Sequence, residues 1–267
     1  LLLVCKEVKL RVTLIDYTKN AREILILSKN TRHLSSPRRF EEILDMTERQ
    51  KGEELEYVFN TISSSWEFVN YTFLLQDVTR AFTHQLVRHR VGFSFAQQSM
   101  RVFPATGFAY YIPDGIQNDE YQSALYTNCM GDIQEFYNLL LGKGASIQDA
   151  RGVLPTNICT NILVGCNLRS LSELMCSRLC VRAQGEFQKA ALEMKKLVQK
   201  VHHWAERVLL PNCLVKETCL FPRFAGCPLK NKYDHLKPVD NIKQSQVFED
   251  WCTLMEKGYS PQPEQSK

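Results

Sequence analysis

Long apolar runs are missing from this sequence. The opening Leu1-Leu2-Leu3-Val4-Cys5 meets Lys6 and Glu7 at once, which is too short for a signal peptide and far below the ~18 residues of a membrane span. An excess of one charge is missing too: 33 Lys+Arg oppose 29 Asp+Glu for a formal charge of +4, and the two signs alternate through most of the chain. A nucleic-acid domain usually gathers its basic residues into a stripe, so no polynucleotide is demanded as partner. Cysteine is sparse, 10 of 267 residues, against about 8–10% in a disulfide scaffold. The thiols therefore read as reduced and the compartment as cytoplasmic. Gly and Pro number only 12 and 10, without repeats or low-complexity tracts, which excludes modules strung on linkers. What is present, 44% hydrophobic and 23% charged, is an ordinary globular composition with ample chain to bury a core.

Local patterns predict an α+β fold in which helices outweigh strands. Lys9 to Tyr17 and Phe68 to Gln76 alternate apolar and polar residues as half-buried strands do. Helices are predicted over Asn20 to Leu27, over Phe40 to Glu48 behind Pro37, from an Asp77 N-cap to about Arg90, over Gln122 to Leu141, over Ser146 to Val153, and as one long segment from Leu168 to Leu210 closed by Pro211. Arg101 to Ile112 reads as β-rich. We expect one α+β domain over 1–210 and an irregular, Cys- and Pro-containing extension over 211–267.

Two polar constellations stand out. The first runs from Gln85 through Arg88-His89-Arg90 to Gln97-Gln98-Ser99-Met100-Arg101. Consecutive helical residues point about 100° apart, so Arg88, His89 and Arg90 cannot share one solvated face. The plain alternative is cations neutralising a helix C-terminus. The amides, the hydroxyl and the extra guanidinium beyond them, flanked by Phe93 and Phe95, form an inventory for an anionic, planar ligand. In the second, Leu171, Leu174, Arg178 and Arg182 fall on one helical stripe. There the arginines either line a cavity for an anion or pair with carboxylates, Arg182 with Glu186.

Gln85-x-x-Arg88-His89-Arg90 followed by Ser99-x-Arg101 resembles the signature of the flavin-dependent thymidylate synthases. So does Ala150-Arg151-x-Val153-Leu154-Pro155 with Thr160, Asn167, Arg169-Ser170-Leu171, Arg178 and Ala183-Gln184-x-Glu186. The resemblance covers about Leu10 to Ala190. It implies an antiparallel or mixed sheet with a long central helix, and a homotetramer with active sites between subunits. It also implies methylation of dUMP to dTMP through FAD, with methylenetetrahydrofolate as carbon donor and NADPH as reductant. By position, Ser64, Arg88, His89, Arg90, Gln97, Asn167, Arg169 and Glu173 would contact FAD. Gln85, Arg88, Gln97, Gln98, Ser99, Met100, Arg101 and Arg151 would hold dUMP. Arg178 would be the catalytic group that favours ionisation of the uracil N3, as a fixed cation beside a developing anion does.

The sequence departs from the family pattern in several places. Eight residues, Val91 to Gln98, replace the usual seven before Ser99, an insertion that Val91-Gly92 would absorb because glycine tolerates unusual dihedrals. Ile62 and Phe68 stand where histidines are common. Glu173 brings a negative charge for which Arg169, one turn earlier, is the neutralising candidate. These changes leave room for a pyrimidine nucleotide hydroxymethylase, or for an inert nucleotide- or RNA-binding member of the fold. The implied mechanism requires no cysteine nucleophile. Cys176 and Cys180 read as small core fillers, and Cys213-x5-Cys219-x7-Cys227 lacks the close pairing of zinc sites, so no metal is expected. His202 and His203 read as helix surface and groove.

Overall fold

Alternation builds the sheet of this computed structural model, which describes residues 6–36, 38–61, 63–215, 219, 221, 223–224 and 226–227. The strands are β1 (Lys6–Glu7), β2 (Arg11–Tyr17), β3 (Asn70–Thr79), β4 (Phe93–Gln97), β5 (Ala109–Tyr110) and β6 (Cys159–Asn167). The helices are α1 (Ala21–His33), α2 (Phe40–Leu44), α3 (Glu48–Phe59), α4 (Arg80–Leu86), α5 (Asp114–Gln117), α6 (Glu120–Gly142), α7 (Ile147–Ala150), α8 (Leu168–Arg178), α9 (Gly185–Val201) and α10 (Asn212–Val215). Short 3-10 helices cover Ser63–Phe68, Arg151–Val153 and His203–Val208. The main sheet is antiparallel in the order β2-β3-β6-β4, and β1 and β5 form a separate parallel pair. Tyr71, Phe73 and Leu75 of β3 lie opposite Cys166, Val164 and Ile162 of β6, all on the buried face. Such cross-strand pairs are the unit of sheet stability. Against this face α9 lays Phe187, Ala190, Ala191, Met194 and Val198, an i, i+3, i+4, i+7, i+11 stripe. A second core joins Phe108, Tyr110 and Ile112 to Met130 of α6 and to Ile158. Among the described residues the longest helix is α6, at 23 residues.

Several sequence expectations are corrected. Asp77 caps no helix: it is a bulge residue in β3 with φ of 59°, its N–H donating to Asn161 Oδ1 at 3.2 Å. Thr79 is the true N-cap, its Oγ accepting the Phe82 N–H at 2.9 Å, and α4 stops at Leu86. Arg88, His89 and Arg90 therefore follow the helix in tightening turns rather than extend it. The segment expected to be one helix from Leu168 to Leu210 is broken over 179–184. There the Cys180 carbonyl accepts from Gln188 Nε2 and from the Ala183 N–H, both at 2.9 Å, and Val181 turns into the core. Arg182 thus leaves the Arg178 stripe. Helix α2 ends at Leu44 because Thr47 starts α3 with a capping box, and only Ala109–Tyr110 of the β-rich stretch pairs as a strand. His202 is buried core, its Nδ1 2.9 Å from the Tyr71 hydroxyl. The readings placed on residues 1–5, Pro37, Ile62 and most of 211–267 lie outside the described residues.

Candidate active site

One hydroxyl sets the position of α4. While Thr79 Oγ accepts from Phe82, it donates to Glu186 Oε2 at 2.6 Å, and Glu186 Oε1 takes the Thr79 N–H at 2.7 Å. Glu186, at the start of α9, is buried, and desolvation holds its pKa above the ordinary carboxylate value although both Thr79 bonds pull it down. The expected Arg182–Glu186 pair is replaced by this anchor, and Arg182 stacks over Phe224 instead, 4.7 Å from the ring centroid. The sequence reading passed over Thr79, although Thr three residues before a helical Phe is a cap signal.

With α4 fixed, its last turn meets the end of α8. Arg178 Nη1 donates to Gln85 Oε1 at 3.2 Å, and its Nη2 lies 3.5 Å from His89 Nε2. The guanidinium sits 4.4 Å over the Phe187 ring, and Gln85 Nε2 donates to Gln184 Oε1 at 2.6 Å. Arg178 Nε is buried without a hydrogen-bond partner. Among the described residues no carboxylate offsets its charge, and desolvation lowers its pKa. The alternative of an ordinary ion-pair ladder is therefore not what the structure shows. Burial first, and Arg178 second, hold His89 below the usual imidazole value, while Glu173 pulls the other way. Burial and the neighbouring guanidinium thus favour the neutral imidazole.

The other candidates surround this cluster. Arg169 pairs with Glu67 at 2.6 Å and with Glu173 at 3.6 Å, so it does neutralise the acidic departure. Asn167 caps α8 by accepting the Ser170 N–H at 2.9 Å. Gly92, with φ of 68°, makes the turn into β4; a Cβ there would stand 2.1 Å from Ser170 Oγ and 2.6 Å from Asn167 Nδ2. Ser64 accepts from Arg32 at 3.2 Å in an open groove of about 750 Å³ that Glu67 and Phe68 also line. Gln97 is turned inward onto Thr83 of α4 at 2.9 Å, and Gln98 Oε1 meets Asn161 Nδ2 at 3.4 Å. Ser99 Oγ accepts the Arg101 N–H at 3.3 Å, and Met100 packs into the second core. Arg88, Arg90 and Arg101 are exposed. Arg151 lies within electrostatic reach of Arg80, the first residue of α4, so two cations face one region. Sequence reasoning missed Arg80, Asn161 and Phe187; only Phe187 carried a signal, its place on the apolar stripe of α9.

The chain belongs to the thymidylate synthase complementing protein family, whose model matches residues 13–203. Its relatives include proteins named flavin-dependent thymidylate synthase. The one from Geobacter sulfurreducens is 36% identical over 150 residues, which are 55% of this chain and 64% of that protein, so the chain spans just under two thirds of its length. The one from Sulfurisphaera tokodaii is 32% identical over 214 residues, 78% of this chain and 80% of the relative. The one from Clostridium tetani is 30% identical over 227 residues, covering 78% and 90%. Among solved structures, a UMP/dUMP methylase, PolB from Streptomyces cacaoi bound with 5-Br dUMP, has the same fold with a TM-score of 0.64. It is 20% identical, and the match covers 77% of this chain and 96% of that one.

Proposed function

We propose that the protein methylates dUMP to dTMP in a flavin-dependent reaction, with FAD as the flavin, methylenetetrahydrofolate as carbon donor and NADPH as reductant. The observation that carries this reading is Arg178: a half-buried cation with no carboxylate partner among the described residues and an unpartnered Nε, which an anionic or strongly accepting ligand would complete. The uracil N3 edge is such a group. A guanidinium fixed there by Gln85 and Phe187 stabilises the N3 anion and makes the pyrimidine ring more nucleophilic. His89, neutral beside it, adds no competing charge. Arg151 and Arg80 are the cations suited to the nucleotide phosphate, with Gln98, Ser99 and Arg101 on the loop alongside.

The residues present fit a flavin. The exposed Arg88 and Arg90 suit a diphosphate, and Gly92, packed against Asn167 and Ser170, fixes the turn that carries them. We assign Arg88, His89, Arg90, Asn167, Arg169 and Glu173 to one part of the cofactor. Ser64, which lines the groove beside Glu67, is assigned to the cofactor of a neighbouring subunit in a homotetramer. When bound, the flavin supplies the redox chemistry and the carbon relay, and the chain orients and polarises.

The test is to purify the protein, identify any chromophore released on denaturation, and analyse products from dUMP, methylenetetrahydrofolate and NADPH. Released FAD and dTMP are expected, from a tetramer by light scattering. Hydroxymethylated product would move the assignment to the sister chemistry. No flavin after incubation with excess FAD, together with salt-sensitive polynucleotide binding, would overturn it in favour of a binding protein.

A further inference from the structure

Arg178, Gln85 and Gln184 form a chain of hydrogen bonds that runs in one direction. A guanidinium carries donors and no acceptor, so the end of the Gln85 amide that meets Arg178 Nη1 at 3.2 Å is the carbonyl. The NH2 end is left to find an acceptor, and Gln184 Oε1 supplies it at 2.6 Å, from 99 residues along the chain. The reaction proposed above uses Arg178 and Gln85 and gives Gln184 no part. Gln184 owes its place to the break between α8 and α9. There the Cys180 carbonyl accepts from Gln188 Nε2 and from the Ala183 N–H, and the Gln184 carbonyl accepts the Gln188 N–H, each at 2.9 Å. Gln188 is 2% exposed, so the turn is pinned from the protein interior. It sets Gln184 just ahead of α9, against the last turn of α4.

With its carbonyl on Arg178 and one N–H on Gln184, the Gln85 amide keeps a second N–H uncommitted. Beside it stands Arg178, whose buried Nε is a further donor without a partner. This end of the site therefore offers a ligand donors. We propose, resting on the reading that the site takes dUMP, that Gln184 is a positioning residue which fixes the direction of the Gln85 amide and so makes the site select uracil over cytosine. The N3 anion of uracil, flanked by two carbonyl oxygens, is an edge of acceptors alone and matches donors from Arg178 and Gln85. Cytosine carries a donor, its amino group, beside N3. That amino group meets donors and stays unpaired, which is how a polar site rejects a base of the same shape. Turning the Gln85 amide end for end would set its NH2 against Arg178 and offer the amino group an acceptor. Gln184 Oε1 holds the amide against that turn.

The experiment measures binding, by calorimetry on the full chain saturated with FAD. The parent is expected to bind dUMP at least about a hundredfold more tightly than dCMP. Gln184→Glu, which keeps an acceptor, should retain that ratio, and Gln184→Lys, which puts a donor in its place, should lower it at least about tenfold. A new charge at 184 acts on both nucleotides alike through their common phosphate, so the ratio isolates the amide. A second measurement needs no ligand. The Gln85 side-chain NH2, assigned by its loss in Gln85→Met, should be rigid by ¹⁵N relaxation in the parent and mobile in Gln184→Met. The proposal is overturned by an amide as mobile in the parent as in Gln184→Met, or by a parent that binds the two nucleotides equally. It is also overturned if Gln184→Lys weakens both nucleotides and leaves their ratio unchanged, the mark of a merely structural role. Unchanged selectivity in a protein that still makes dTMP sinks this inference alone, whereas a parent that binds neither nucleotide sinks the proposed reaction with it.

Discussion

Replacing Arg178 by alanine should separate activity from stability. On the catalytic side, one preorganised charge or donor aimed at a developing anion contributes about 2.7–4 kcal/mol, so turnover should fall at least about a hundredfold. On the folding side the terms oppose one another. The substitution removes a stack on Phe187, about 0.5–2 kcal/mol, and a charge-assisted bond to Gln85 of about 1.5 kcal/mol. It also removes a buried, unpartnered Nε, whose presence costs about 1–3 kcal/mol. The sum runs from about 2.5 kcal/mol destabilising to about 1 kcal/mol stabilising, a Tm change of about 10 °C at most. The assay is single-turnover dTMP formation alongside thermal unfolding and retained flavin. Arg178→Lys should recover part of the rate, because it restores charge without the planar fork. Near-normal turnover, or a rate loss matched by unfolding, would refute the reasoning.

Three further outcomes follow from the same geometry. In the Arg178→Ala protein the His89 imidazole, followed by NMR, should titrate closer to its ordinary value than in the parent; an unchanged value would separate the two side chains. Because burial lowers the His89 and His202 pKa values in the fold, their contribution to stability is present above the unfolded value near 6.5 and lost as pH falls through the folded values, visible as weaker urea resistance toward acid. Gly92→Ala should cost at least about 2 kcal/mol from left-handed strain and from displacing Ser170 and Asn167, with flavin retention lost. Glu186→Ala, which strands the Thr79 N–H and hydroxyl, should cost about 3–5 kcal/mol in chemical denaturation. Glu186→Gln should cost far less, since a neutral acceptor remains.

Periodicity made β2, β3, α1 and α6 legible in the sequence. It failed where two rules competed. Asp77 and Thr79 are both good caps by type, and only pairing with β6 shows that Asp77 bulges, which leaves the cap to Thr79. Strands β4 and β6 sit inside the motif blocks. Their alternation, Thr160, Ile162, Val164 and Cys166 against Asn161, Leu163 and Gly165, is plain, yet ligand-type residues drew the reading instead. At the site, residue types and order pointed to Arg178 and Gln85, but their contact spans 93 residues of chain. No local rule reports a contact of that span. Likewise Thr79 and Glu186 stand 107 residues apart, and neither is unusual alone.

That last pair has a consequence for how the protein tolerates change. Thr79 Oγ is at once the cap of α4 and a ligand of the carboxylate that begins α9, so one atom answers to two helices. Positions 79 and 186 therefore form a single unit of inheritance. Serine at 79 is admissible because it keeps the hydroxyl, whereas valine, the same shape without it, demands a new residue at 186 in the same step. Drift through this family should cross that point in pairs or not at all.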